Sequence, residues 1–121
     1  MPLLRALLFL WPAALLSAAP APQAITVTAT DYSFSPRELR VTAGRPLSLT
    51  VVNNGKETHG LRLTLSYGEV PLPMNVPPGE KVTTVIDTLG EPGTYRIYCP
   101  VDDHEHKGMT GTIVVAPGAG R

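Results

Sequence analysis

The residues Tyr98-Cys99-Pro100-Val101-Asp102-Asp103-His104-Glu105-His106-Lys107-Gly108-Met109 place a thiol, two imidazoles and a thioether within eleven positions. Cys99 is the only cysteine, and a third imidazole, His59, lies forty residues upstream of it. A thiolate with two imidazoles and a weak thioether is the donor set of a mononuclear copper site of the blue, electron-carrying kind. Each donor type has its reason. Copper cycles between a soft monovalent state and a borderline divalent one; sulfur suits the first, and imidazole nitrogen serves both. Ligands held on rigid elements move little between the two states, which keeps electron exchange inexpensive.

Each of these residues also admits a plainer explanation. Cys99 follows Ile97 on one face of an alternating segment and could be a buried core thiol. His59 could be an exposed loop histidine, and Met109 ordinary core at the start of a strand. Met74 is an alternative thioether, although its proline-rich surroundings suggest loop packing. His106, between Glu105 and Lys107, is most simply a solvated surface residue, and Asp102 and Asp103 suit a turn. The whole constellation, more than any member of it, points to metal.

The elements that must position these side chains are strands. Ile25 to Thr30 alternates and is β-branched, Leu39-Arg40-Val41 follows Pro36, and Leu47, Leu49 and Val51 alternate up to Asn53-Asn54-Gly55. Further strands are predicted at Leu61 to Leu65, Val82 to Asp87, Thr94 to Cys99 and Thr112 to Val115. Short strands with turn signals every eight to twelve residues indicate an antiparallel all-β sandwich. Thirteen prolines and eleven glycines interrupt most helical windows, and Val70 to Pro78 suits an irregular connection across one end. In such a sandwich, strand ends far apart in sequence meet at one pole, so His59 can join the Cys99 loop.

Around this domain the chain carries two other segments. Met1 to Arg5 bears one positive charge, Ala6 to Leu16 is apolar apart from Pro12, and Ser17-Ala18-Ala19 supplies small residues. That order is a secretory signal, with cleavage after Ala19, or alternatively after Ala21. The apolar run falls short of the roughly 20 residues of a spanning helix, so residues 1–19 are expected to leave no membrane insertion behind. Residues 24–116 then form the domain, and residues 117–121 a flexible tail. Loss of Arg5 leaves nine basic against ten acidic residues, a formal charge of −1 with no basic stripe, which disfavours nucleic acid as a partner. An exported protein meets an oxidising compartment, where an unpaired cysteine needs an explanation; copper would supply it by holding Cys99 as thiolate.

The chain resembles the cupredoxins, the plastocyanin, azurin and rusticyanin group. The likeness rests on Cys99-x4-His104-x4-Met109, on His59 within Asn53-Asn54-Gly55-Lys56-Glu57-Thr58-His59, and on Phe34-Ser35-Pro36, Pro77-Pro78-Gly79-Glu80 and Glu91-Pro92-Gly93-Thr94-Tyr95. The resemblance implies a Greek-key sandwich of seven to eight strands and one copper ion held by His59, Cys99, His104 and Met109. His106 as ligand would leave too little chain before Met109 to match the family. Many members have Asn after the upstream histidine, where this chain has Gly60, so the link that Asn makes between ligand loops must be absent or replaced.

The expected function is single-electron transfer, periplasmic or extracellular, by a monomer that docks transiently on a redox donor and acceptor. His104 is expected at the solvent edge as the electron port, with Pro100, Val101, Met74 and the Val70 to Pro78 loop as its apolar surround. Copper delivery or buffering without redox cycling is the alternative. An enzyme is disfavoured, because further copper sites need histidines and cysteines beyond the three and one present.

Overall fold

The structure is a computed structural model and describes residues 21–65, 68–70, 72–87 and 89–118, with the side chain of Glu69 excepted. The predicted signal segment, and the end of the predicted tail, lie outside the described residues. Among the described residues there are nine strands and no helix. They are β1 (Gln23–Thr30), β2 (Ser33–Ser35), β3 (Glu38–Thr42), β4 (Leu47–Asn53), β5 (Arg62–Leu65), β6 (Gly68–Val70), β7 (Lys81–Ile86), β8 (Gly93–Tyr98) and β9 (Thr110–Ala116).

Two sheets face one another, one in the order β2-β1-β4-β7 and the other in the order β3-β9-β8-β5-β6. The all-β sandwich expected from the alternating segments is therefore the observed fold, with each sheet mixed rather than purely antiparallel. β1 pairs parallel with β4, and β3 pairs parallel with β9. The chain changes sheet after β2, β3, β4, β6 and β7, so most connections pass over the ends of the sandwich. β2 and β6 are three residues long, too short for alternation to reveal.

Alternation builds the core. Along β4, Leu47, Leu49 and Val51 point inward while Ser48, Thr50 and Val52 are only half buried. They meet Leu39 and Val41 of β3, Leu63 of β5, Ile97 of β8, and Ile113 and Val115 of β9, with Val27 and Phe34 from the first sheet. Burial of such side chains contributes about 1.5–3 kcal/mol each. The inward phase of β4 ends on Asn53, which is fully buried though polar.

The register fixes one pole of the sandwich. β1 and β4 run parallel and finish together, with Ala29 opposite Asn53. In the other sheet Arg62, which opens β5, lies opposite Tyr98, which closes β8, and Tyr98 lies opposite Thr110, which opens β9. The β1–β2 turn, the β4–β5 connection and the β8–β9 connection thus emerge at one end. Among the described residues, no helix is long and apolar enough to cross a membrane.

Core packing should dominate stability. Leu49→Ala is expected to cost about 2–5 kcal/mol in urea unfolding, because Leu49 is fully enclosed. Val85→Ala, on an exposed face of β7, should stay within about 0.5 kcal/mol.

Candidate metal centre

Asn53 organises the first ligand connection. Its Nδ2 donates to the carbonyls of Glu57 at 2.7 Å and Val76 at 2.8 Å, and its Oδ1 accepts from the Gly55 N–H at 2.8 Å. A buried amide left unpaired would cost about 1–3 kcal/mol, so these bonds compel the connection after β4 to turn back over the pole. His59 follows, clipped by backbone bonds in both directions to Val76, at 3.1 and 2.7 Å. Leu61 N–H adds a bond to the Pro73 carbonyl at 2.8 Å. The proline-rich segment is irregular, as its composition suggested, and it buttresses His59.

The second connection is a run of tight turns. His104 N–H donates to the Val101 carbonyl, Gly108 N–H to Glu105, and Met109 N–H back to the His104 carbonyl. Asp102 and Gly108 take positive φ values of 44° and 97°, where the chain reverses. Asp102 tolerates that conformation better than most side chains, and glycine adopts it freely. Cys99 sits one residue beyond β8, and its N–H donates to the Met109 carbonyl at 3.1 Å. Cys99, His104 and Met109 are thereby locked to one another through their backbones.

The structure brings His59, Cys99 and His104 together at the pole. One donor atom from each lies within 4.8 Å of the others, and all three residues are buried. Cys99 Sγ is 3.6 Å from His104 Nδ1, and the two imidazoles have centroids 5.0 Å apart. Met109 is fully buried one residue before β9. His106 is exposed and not part of the cluster. Met74 is 39% exposed, with its sulfur facing the Arg62 guanidinium at 3.6 Å.

Gly60 has a physical reason. A Cβ there would overlap the carbonyl oxygen of Met74, so no side chain fits. The backbone N–H groups of Val101 and Gly60, one from each loop, favour the thiolate form of Cys99. Burial pushes the Cys99 thiol up from its ordinary value, and these two N–H groups partly oppose it.

The electron port departs from expectation. His104 is 1% exposed, so its imidazole edge is not at the surface. The ring of Tyr32, from the β1–β2 turn, lies over it with centroids 4.9 Å apart. The Tyr32 hydroxyl donates to the Glu57 carboxylate, whose Oε2 is also 3.7 Å from His104 Nε2, and Lys107 Nζ sits 4.3 Å from the Tyr32 ring centroid. A polar and aromatic layer therefore covers the histidine where an apolar rim was expected. Sequence reasoning passed over Asp31, Tyr32, Asn53 and Glu57. Only Asn53 carried a signal, as a polar residue in the inward phase of β4.

The donors suit a metal ion. His59 Nδ1 is buried with no hydrogen-bond partner, while its Nε2 is engaged by Asp31 at 2.6 Å. An orphaned buried ring nitrogen in a residue grouped with a thiol and a second imidazole is what a bound ion would satisfy, and the softness of the set suits copper.

Sandwich and donor set together define a mononuclear copper protein class. The chain belongs to the cupredoxin-like domain family, whose model matches residues 3–115. That family binds copper, and His59, Cys99 and His104 form a possible ligand group for it. Among solved structures, the chain is similar to an auracyanin from the photosynthetic bacterium Roseiflexus castenholzii, at 19% identity and TM-score 0.72, covering 81% of this chain and all of that one. Auracyanin A of Chloroflexus aurantiacus, a blue copper protein, is 24% identical with TM-score 0.63, over 78% of this chain and 99% of that one. A copper-containing nitrite reductase of Thermus scotoductus is 24% identical with TM-score 0.66, but this chain spans only 28% of it. At these identities the likeness is one of fold. No curated protein matches the chain.

Gly60→Ala should displace the Met74 segment and cost about 1–3 kcal/mol in urea unfolding of the metal-free protein. Cys99 in the folded metal-free protein at pH 8 should react with a thiol reagent far more slowly than in urea, since burial keeps it protonated and enclosed. Equal rates in both conditions would contradict that enclosure.

Proposed function

We propose that this protein is an exported electron carrier, passing single electrons through one copper ion that His59, Cys99 and His104 would hold, with the Met109 thioether as a weak further donor. The observation that carries this reading is the meeting of a buried thiol and two buried imidazoles in which His59 Nδ1 has no partner. Copper when bound supplies a one-electron couple between its monovalent and divalent states.

The chain's own part is to hold the donors still. His59 is fixed by Asp31 and by its bridge to Val76, and Cys99 and His104 by the turns that close on Met109. Ligands anchored on a closed loop and two strand ends relax little when charge changes, which favours rapid exchange. The enclosed site also keeps water from the thiolate. Enclosure favours keeping the ion over handing it to a partner, because transfer by ligand exchange needs an accessible donor.

Electrons reach the centre from partner redox proteins that dock transiently on a monomer, over the pole that carries His104. Tyr32 and Glu57 both lie against His104 there, and Met74 stands exposed nearby at the same pole. A catalytic role would require further metal ligands, and the chain's three histidines and single cysteine are nearly consumed by one site.

The test is a set of variants followed by visible absorption. Cys99→Ser should abolish the intense thiolate-to-copper band; unchanged colour would refute thiolate bonding. Met109→Leu should retain copper and raise the reduction potential, because the thioether favours the oxidised ion. His106→Ala should keep colour and stoichiometry, and bleaching there would mean that the loop supplies the other imidazole.

A further inference from the structure

The β1–β2 turn lends no donor to the cluster, yet one of its side chains reaches the heart of it. Asp31 Oδ1 lies 2.6 Å from His59 Nε2. The same carboxylate accepts the backbone N–H groups of Lys56 at 3.0 Å and Glu57 at 3.4 Å, so it holds both the ring and the chain that leads to it. His59 is completely buried, and the Asp31 side chain is 24% exposed. Space has been kept for this pair: a Cβ on Gly55 would overlap the Asp31 carboxylate and crowd His59 Nε2.

A carboxylate can only accept, so the hydrogen between Asp31 and His59 belongs to Nε2. A neutral imidazole carries one N–H, which leaves Nδ1 with a bare lone pair. That nitrogen is the one with no partner. The engaged Nε2 and the orphaned Nδ1 together describe one ring orientation and one tautomer. A carboxylate behind a ligating imidazole also makes the ring a stronger donor, and its negative charge stabilises a divalent ion more than a monovalent one.

We propose that Asp31 is a positioning residue of the copper centre, which fixes His59 with its proton on Nε2, presents Nδ1 to the ion, and lowers the reduction potential. The proposal rests on the copper reading above, but its first half concerns the metal-free protein too. Asp31 acts through His59, whose Nε2 it engages.

Nitrogen-15 NMR of the metal-free wild-type protein at neutral pH tests that half without copper. Proton on Nε2 of His59 is expected, and proton on Nδ1 would overturn the proposal. Voltammetry and a chelator competition for divalent copper test the other half on Asp31→Asn and Asp31→Ala. Asp31→Asn removes the charge while retaining an acceptor and the shape, so it should fold and show a raised potential. Asp31→Ala should also weaken affinity for divalent copper, by about 10–100-fold. A potential and an affinity unchanged in Asp31→Asn would overturn the proposal while the blue wild type still upheld the copper centre. A colourless wild type would instead sink the copper reading, and the NMR result would still decide the tautomer.

Discussion

The pole of this sandwich is governed by polar donors enclosed where water cannot reach them. His59, Cys99 and His104 each bring one donor atom into a buried space, and His59 Nδ1 has no hydrogen-bond partner. A buried unpaired group costs about 1–3 kcal/mol, which a bound ion would relieve. The arrangement makes sense as a place prepared for an ion. Without it, the neighbouring hydrogen bonds would be an odd expense on a loop end.

Those neighbours form a chain of causes running back to the core. Leu47, Leu49 and Val51 lock β4, and β4 delivers Asn53 to the pole in the inward phase. Asn53 ties the turn that carries Glu57 to the Val76 segment, which in turn clips His59. On the facing sheet, β8 and β9 bring Cys99 and Met109 together, and Met109 closes on His104. Gly60 leaves room for the Met74 carbonyl, which any side chain there would meet. The site is as rigid as the strands that end in it.

The sandwich and the Cys99 loop were legible in the sequence for definite reasons. Alternation along β1, β4, β5 and β8 is long enough to declare itself, and Cys99, His104 and Met109 are close enough in sequence to read as a unit. β2 and β6 were missed because three residues do not make a pattern. The surroundings of the imidazoles were not legible, because their partners are remote in sequence: Asp31 and His59 are 28 positions apart. Tyr32, hydrogen-bonded to Glu57, covers His104, which is why an imidazole expected at the solvent edge is enclosed. The absence of Asn after His59 was visible; that the Met74 backbone occupies its space was not.

The most direct measurement is a pair of spectra, visible absorption and electron paramagnetic resonance, on the protein with one equivalent of divalent copper. An intense thiolate-to-copper band together with narrow copper hyperfine splitting is the expected result, from the His59, Cys99 and His104 donors acting on a single ion. A colourless protein with an ordinary divalent copper spectrum would contradict the account, because the thiol would then not be bonded to the metal.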